Sequence, residues 1–140
     1  METVHASCVA VFGRGVLLLG ESGAGKSSLA LRLIDRGAML VGDDRICLHE
    51  DGGLFASAPL PLAGLIESRG LGILRLPYRR KARLALAVTL AAAERLPEPE
   101  CWRWKSQTLP LVRIDANAAD AAQKVERALS EYGLSLKSAS

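Results

Sequence analysis

The sequence predicts a single α/β domain in which helices flank a mixed sheet, and three observations support this expectation. The 140 residues are 49% apolar and 24% charged, which is typical of a folded globular domain with one hydrophobic core. Short apolar runs bounded by glycine recur along the chain, as they do in buried strands. Two longer stretches have apolar residues three and four positions apart, which is the spacing of a helix with one buried face.

Turn signals divide the chain into these elements. Gly13-Arg14 separates the first two apolar runs, and a Glu-Asp-Gly-Gly turn at residues 50–53 predicts a hairpin. Leu84 begins a stretch that reads as a strand to Leu90, although its alanines up to Arg95 also suit a helix. The predicted elements are strands at residues 9–12, 15–19, 39–41, 46–49, 54–56, 70–76, 84–90 and 109–114, with helices at 27–35 and 118–132.

Charge and cysteine content exclude several classes of protein. The net charge of +3 is modest, and only residues 79–83 form a basic run, which is either a solvated surface or a contact for an anion or acidic partner. The three cysteines lack the spacing of a zinc site or a disulfide framework. No apolar run is long enough to cross a bilayer. We therefore expect one cytoplasmic domain over residues 1–140, with no nucleic-acid or membrane partner.

A glycine-rich segment after the second predicted strand matches the phosphate-binding pattern G-x-x-x-x-G-K-[ST], and a predicted helix follows it as the motif requires. Glycines let backbone N–H groups curl around phosphates, and the helix N-terminus adds positive potential. We predict that Lys26 contacts the β- and γ-phosphates of ATP or GTP and that the Ser27 hydroxyl binds Mg²⁺. The predicted nucleotide-binding residues are Gly20, Glu21, Ser22, Gly23, Ala24, Gly25, Lys26 and Ser27.

A pair of acids, Asp43 and Asp44, follows the predicted strand at residues 39–41. Walker-type nucleotide hydrolases place an acid at such a strand end, where it holds Mg²⁺. Adjacent side chains of an extended segment point to opposite sides, so only one carboxylate is expected to face the γ-phosphate. From spacing alone, a metal or water role and a loop-capping role both stay open for this pair.

Four segments, one of which is the phosphate loop, make the chain resemble the HPr kinase/phosphorylase family. His5 lies a short distance ahead of the phosphate loop, and residues 66–73, IESRGLGI, are similar to the family signature. The segment Gly42-Asp43-Asp44-Arg45 also matches, and residues 94–96 add a weaker correspondence. The resemblance implies a P-loop kinase core and an ATP-dependent serine kinase that acts on the phosphocarrier HPr or an HPr-like protein.

The resemblance also implies catalytic roles for four residues. Asp43 corresponds to the carboxylate that takes the proton from the target serine, and His5 to a histidine within hydrogen-bond reach of it. Lys26 neutralises charge on the transferred phosphoryl group, and Arg95 corresponds to an arginine suited to the same charge. These four residues are the predicted catalytic set.

The metal site and the assembly are implied in the same way. Ser27 and Glu67 correspond to the Mg²⁺ ligands, and a hard cation prefers such oxygen ligands. Family members form ring-like oligomers, usually hexamers, so a homo-oligomer is expected. The chain begins almost at the kinase core and is similar to the short proteobacterial form, which lacks an N-terminal domain.

Two questions stay open at the level of sequence. The Pro-Gly-Arg-Asn-like segment that long members use for dephosphorylation has no counterpart in residues 111–122, so phosphorylase activity is undecided. A regulatory nucleotide-binding module that transfers no phosphoryl group is the alternative to the kinase. Phosphorylation of a purified HPr discriminates between these two functions.

Overall fold

The computed structural model describes residues 2–92 and 94–136, which form a mixed sheet with two helices packed against one of its faces. A single 3₁₀ turn, Leu60–Leu62, is present in the same residues. In chain order the elements are β1 (Thr3–Val4), β2 (Ala6–Val11), β3 (Arg14–Leu19), α1 (Lys26–Asp35), β4 (Met39–Gly42), β5 (Ile46–Glu50), β6 (Leu54–Ser57), β7 (Leu65–Ser68), β8 (Gly72–Arg75), β9 (Ala82–Leu90), β10 (Glu100–Trp104), β11 (Gln107–Ile114) and α2 (Ala121–Tyr132).

The long strand β9 organises the sheet, whose order is β1-β5-β6-β9-β3-β2-β4. At its start β9 pairs antiparallel with β6, and further along it pairs in parallel with β3 and β11. Strand β10 extends the sheet beyond β11, whereas β7 and β8 form a separate hairpin. Because β3 lies between β9 and β2, the loop that follows β3 emerges from the middle of the sheet.

Two apolar clusters lie on opposite faces of this sheet. Leu18 of β3 packs with Leu29 of α1 and Val125 of α2 in the first cluster. Leu17, the preceding residue, packs with Ile46 of β5 in the second cluster. Successive strand residues face opposite sides, so β3 supplies both clusters and is buried on both faces. This packing fixes the beginning of α1 relative to the carboxyl end of β3.

The predicted α/β class with its mixed sheet is confirmed, but the boundaries of several elements differ from those predicted. The strand expected at residues 70–76 is wrong in extent: only Gly72–Arg75 is strand, β8, and it pairs with β7 in a hairpin whose turn contains Gly70 at φ 88°. Strand β10 was not predicted, and α2 begins at Ala121 instead of residue 118. Among the described residues after Leu90 none is helical up to β10.

The alanine-rich end of β9 is a strand because β3 and β11 pair with it from both sides, which outweighs the helical propensity of alanine. In the described part of the chain, neither helix has the length and apolar character needed to cross a membrane.

Candidate active site

The loop between β3 and α1 has the geometry of a phosphate-binding loop. Gly23 and Gly25 adopt φ of 84° and 101°, a left-handed conformation that side chains with a Cβ disfavour. A Cβ added to Gly25 would also lie 3.1 Å from the Cβ of Ala116. Gly25 is the N-cap of α1 and provides no side-chain cap, so the first N–H groups of the helix remain available to an anion.

Lys26 is the first residue of α1 and is only 5% exposed. Its Nζ donates hydrogen bonds to the backbone carbonyls of Gly20 at 2.7 Å and Glu21 at 3.0 Å. A buried ammonium with neutral acceptors alone is costly, which makes the loop a favourable place for a phosphate. The structure therefore holds the lysine charge directly over the loop.

Asp43 is held against the phosphate loop by three donors. The Ser27 hydroxyl lies 2.7 Å from Oδ1 and 2.9 Å from Oδ2 of Asp43. The Ser7 hydroxyl donates to Oδ1 at 2.6 Å, and the backbone N–H of Glu67 donates to Oδ2 at 3.2 Å. With 8% of its surface exposed, Asp43 is a buried acid whose carboxylate is already engaged.

Asp44 has the opposite environment. Its backbone adopts φ 67°, which turns its side chain away from that of Asp43. The side chain is 61% exposed, and its Oδ1 lies 3.0 Å from Nε2 of His5, itself 53% exposed. The structure thus pairs His5 with Asp44, whereas the resemblance implied a histidine beside Asp43.

The loop and both acids line one cavity of 820 Å³. Glu67 and Arg69 of the β7–β8 hairpin line its second wall, and Ala116 and Asn117 enter from the segment between β11 and α2. The predicted sites at Lys26, Ser27, Asp43 and Glu67 thus come together, with His5 attached through Asp44. Members of this site that were not predicted include Ser7, through its bond to Asp43, and the lining residues Arg69, Ala116 and Asn117.

Arg95 is a predicted catalytic residue that does not line this cavity; Gly20 and Glu21 do not line it either, but their carbonyls accept hydrogen bonds from Lys26. It is exposed on the segment after β9 and is absent from the described residues that line the cavity. Its catalytic role stays a prediction. Ser7 gave no signal in the sequence because it lies within an apolar run, whereas Arg69 lies inside the signature segment and was accessible to sequence reasoning.

The donor set fits a hard divalent cation. The Ser27 hydroxyl donates a hydrogen bond to Asp43, which leaves the lone pairs of its oxygen available to a metal. The exposed Glu67 adds carboxylate oxygens to the same cavity. Within the described ranges no three His, Cys, Asp or Glu side chains form a metal-holding cluster. This sparse set suits Mg²⁺, which keeps several waters and binds through one or two carboxylates together with substrate phosphates.

Comparison with known proteins identifies the family. The model of the HPr Serine kinase C-terminal domain matches residues 1–100 of the chain. The chain belongs to the HPr serine kinase C-terminal domain family. The sequence resemblance that rested on the loop, the acids and the signature segment is thereby confirmed.

Solved and curated relatives agree with membership in the HPr serine kinase family. The structure of the Hpr(Ser) kinase/phosphatase from Coxiella burnetii superposes with a TM-score of 0.81 at 27% identity, covering 93% of this chain and 95% of that one. The HPr kinase/phosphorylase of Bordetella pertussis is 46% identical over 110 residues, and that of Clostridium tetani is 48% identical over 75 residues.

These curated relatives are longer than the chain described here. The matched part covers 68% of this chain and 36% of the Bordetella pertussis protein, and 53% of this chain and 25% of the Clostridium tetani protein. The family model, which matches residues 1–100, covers the phosphate loop and both acids of the site.

Proposed function

We propose that this chain is an ATP-dependent serine kinase that phosphorylates the phosphocarrier HPr or an HPr-like protein. Family membership and the names of its relatives support this activity. The observation that carries the proposal is the position of Asp44, whose exposed carboxylate lines the same cavity as the phosphate loop and is paired with His5. Transfer of a phosphoryl group to a hydroxyl requires a proton acceptor and a phosphate-binding loop, and both line this cavity.

Asp44 is the proton acceptor in this proposal, and Asp43 acts on the metal side. The target serine gives its hydroxyl proton to Asp44, while its oxygen forms a bond to the γ-phosphorus of ATP. The bond between the γ-phosphorus and the bridging oxygen breaks, and ADP leaves. Asp43 was the expected acceptor, but its carboxylate is buried and already accepts three hydrogen-bond donors. An acid engaged in this way has little freedom to approach a substrate hydroxyl.

Lys26 and His5 assist this transfer in different ways. The Lys26 ammonium stabilises negative charge on the transferred phosphoryl group through electrostatic attraction. His5 orients the Asp44 carboxylate through the 3.0 Å contact between Nε2 and Oδ1. Arg95 remains a candidate for the same phosphoryl charge, on the basis of the resemblance alone.

Ser27 and Glu67 are the proposed Mg²⁺ ligands, and Asp43 accepts a hydrogen bond from the Ser27 hydroxyl. Bound there, the cation would neutralise charge on the phosphates of ATP. Every protein donor in this set is an oxygen, in agreement with the preference of Mg²⁺.

An exposed apolar rim supports a protein substrate. We define this apolar rim as Leu60, Leu62, Leu71 and Ile73, whose exposed fractions are 81%, 37%, 78% and 65%. Leu62 and Ile73 also line the cavity, so a partner that covers the rim lies within reach of Asp44. Exposed apolar side chains that rim a polar site are typical of protein interaction surfaces.

Cytoplasmic location and a homo-oligomeric state, a hexamer by resemblance, belong to the same proposal. Light scattering after size-exclusion chromatography measures the oligomeric state directly.

Phosphorylase activity is tested separately, by incubating serine-phosphorylated HPr with inorganic phosphate and assaying release of pyrophosphate and unmodified HPr. Absence of that reaction leaves the kinase proposal intact.

The decisive experiment incubates the purified protein with Mg-ATP and a cognate HPr and maps the product by mass spectrometry. We expect one phosphoserine on HPr, strongly reduced for Asp44→Asn at unchanged ATP affinity. Asp43→Asn is expected to raise the Mg²⁺ concentration needed for activity. Tight ATP binding without transfer to HPr would contradict the proposal and support a regulatory nucleotide-binding module.

A further inference from the structure

A buried serine connects the two acids of the site. Ser7 on β2 is 0% exposed, and its hydroxyl donates to Asp43 Oδ1 at 2.6 Å. The Ser7 hydroxyl oxygen also accepts a hydrogen bond from the backbone N–H of Asp44 at 3.3 Å. Among the described residues, three polar or charged side chains are buried, namely Ser7, Lys26 and Asp43.

The burial of this hydroxyl has a cost that its two contacts offset. The neighbouring buried residues of β2, Ala6 and Cys8, are apolar, and a hydroxyl placed in such a strand is unfavourable unless it is hydrogen-bonded. The bond to Asp43 joins a donor to a carboxylate at short distance, which makes it one of the stronger hydrogen bonds available to a neutral side chain. Both partners of Ser7 belong to the candidate site.

We propose that Ser7 is a positioning residue that fixes the Asp43 carboxylate toward Ser27 and holds the turn from which Asp44 projects. Asp43 Oδ1 accepts from both Ser7 and Ser27, so the Ser7 bond restrains rotation of the carboxylate. That restraint keeps the Ser27 O–H directed at Asp43 and the Ser27 lone pairs toward the cavity. The inference rests on the proposed function for its catalytic consequence, but its metal-binding consequence is independent of the kinase activity.

The bond from the Asp44 N–H extends this effect to the proton acceptor. Asp44 has φ 67°, a left-handed conformation that is unfavourable for a residue other than glycine and persists only when its surroundings hold it. The Ser7 oxygen is one of the groups that hold it. Ser7 therefore sets the positions of the metal-side acid and the proton acceptor together.

A purely structural role for Ser7 predicts a loss of stability without a specific loss of metal binding, so the experiment measures both. Mn²⁺ is used as the probe, and its free concentration in the presence of ADP is read by electron paramagnetic resonance. Cys8→Ala is the matched control, because Cys8 is the next residue of β2, is also 0% exposed, and packs in the cluster on the opposite face of the sheet.

For Ser7→Ala we expect Mn²⁺ affinity with ADP to fall by about ten- to a hundredfold, the equivalent of one hydrogen bond to a charged group. ADP binding without metal and the melting temperature should match those of Cys8→Ala. Ser7→Thr, which keeps the hydroxyl, is expected to recover Mn²⁺ affinity at least in part. In the kinase assay, Ser7→Ala should lower kcat while leaving the KM for HPr unchanged.

Wild-type Mn²⁺ affinity in Ser7→Ala, or an equal loss in Cys8→Ala, would overturn the inference. If Ser7→Ala does not fold, Ser7→Cys decides the matter, because it keeps a side chain of similar shape but replaces a strong donor with a weak one. Failure of the wild-type protein to phosphorylate HPr would contradict the proposed function and leave the Mn²⁺ result to judge Ser7 by itself.

Discussion

His5 Nε2 lies 3.0 Å from Asp44 Oδ1, although both side chains are more than half exposed. An exposed contact of this kind contributes little to stability, so its value is expected in the orientation of the acid beside the phosphate loop. Asp44 lines the cavity directly, whereas His5 reaches it only through this contact.

The first prediction concerns the relative importance of Asp44 and His5 for the transfer. Asp44→Asn should lower kcat by about 10²- to 10⁴-fold, the usual contribution of a positioned proton acceptor, and His5→Ala by a smaller factor. The double variant should be no slower than Asp44→Asn, because residues that act as a unit are not additive. Steady-state kinetics with HPr measures all three, with Asp51→Asn in the β5–β6 turn as control. Additive losses would contradict the pairing.

A second prediction concerns the phosphate loop. Gly25→Ala should abolish nucleotide binding, because residue 25 has φ 101° and its new Cβ would lie 3.1 Å from that of Ala116. Gly37→Ala is the matched control: Gly37 has φ 111°, but an added Cβ would meet nothing within 4 Å. Both variants strain the backbone, so only Gly25→Ala is expected to lose ATP affinity in calorimetry. Equal losses would show that backbone strain alone is responsible.

A third prediction tests the apolar rim as a docking surface for a protein substrate. Leu71→Ser and Ile73→Ser should each raise the KM for HPr by about tenfold while leaving the KM for ATP unchanged, as for anchor residues of an interface. Phe12→Ser is the control, since Phe12 is 88% exposed at the turn between β2 and β3, away from the carboxyl end of β3. An unchanged KM for HPr in both rim variants would place docking elsewhere.

A fourth prediction concerns alkaline stability. Burial raises the pKa of the Cys8 thiol from 9.0 to about 12. Between these values the unfolded thiol is ionised and the folded thiol is not, so unfolding releases a proton and stability falls as pH rises. The contribution of Cys8 is up to about 1.4 kcal/mol per pH unit within that window.

Urea unfolding at about pH 8 and about pH 10.5 measures this contribution. Cys8→Ala should lose less stability between the two conditions than the wild-type protein. Cys101→Ala changes an exposed cysteine and should behave as the wild type. Parallel pH dependence of all three proteins would argue against an effect of the buried thiol.

The phosphate loop could be predicted from sequence because its determinants are local. The strand, the glycines, Lys26 and the helix follow one another directly, and their contacts span only five or six residues, as between Lys26 and the carbonyls of Glu21 and Gly20. The α/β class was predictable for a similar reason, since apolar runs and helical spacing are local patterns. The family resemblance depended on the same contiguous motifs.

The different environments of Asp43 and Asp44 were decided only by tertiary structure. Ser7 and Asp43 are 36 residues apart, and Ser27 and Asp43 are 16 apart, so no local pattern indicates which acid faces the loop. The backbone of Asp44 at φ 67° sends the second acid to His5 instead, a choice that chain spacing leaves open. Residue types and motifs thus defined the chemistry available to this protein, and long-range packing decided which carboxylate is buried against Ser27 and which one is exposed beside His5.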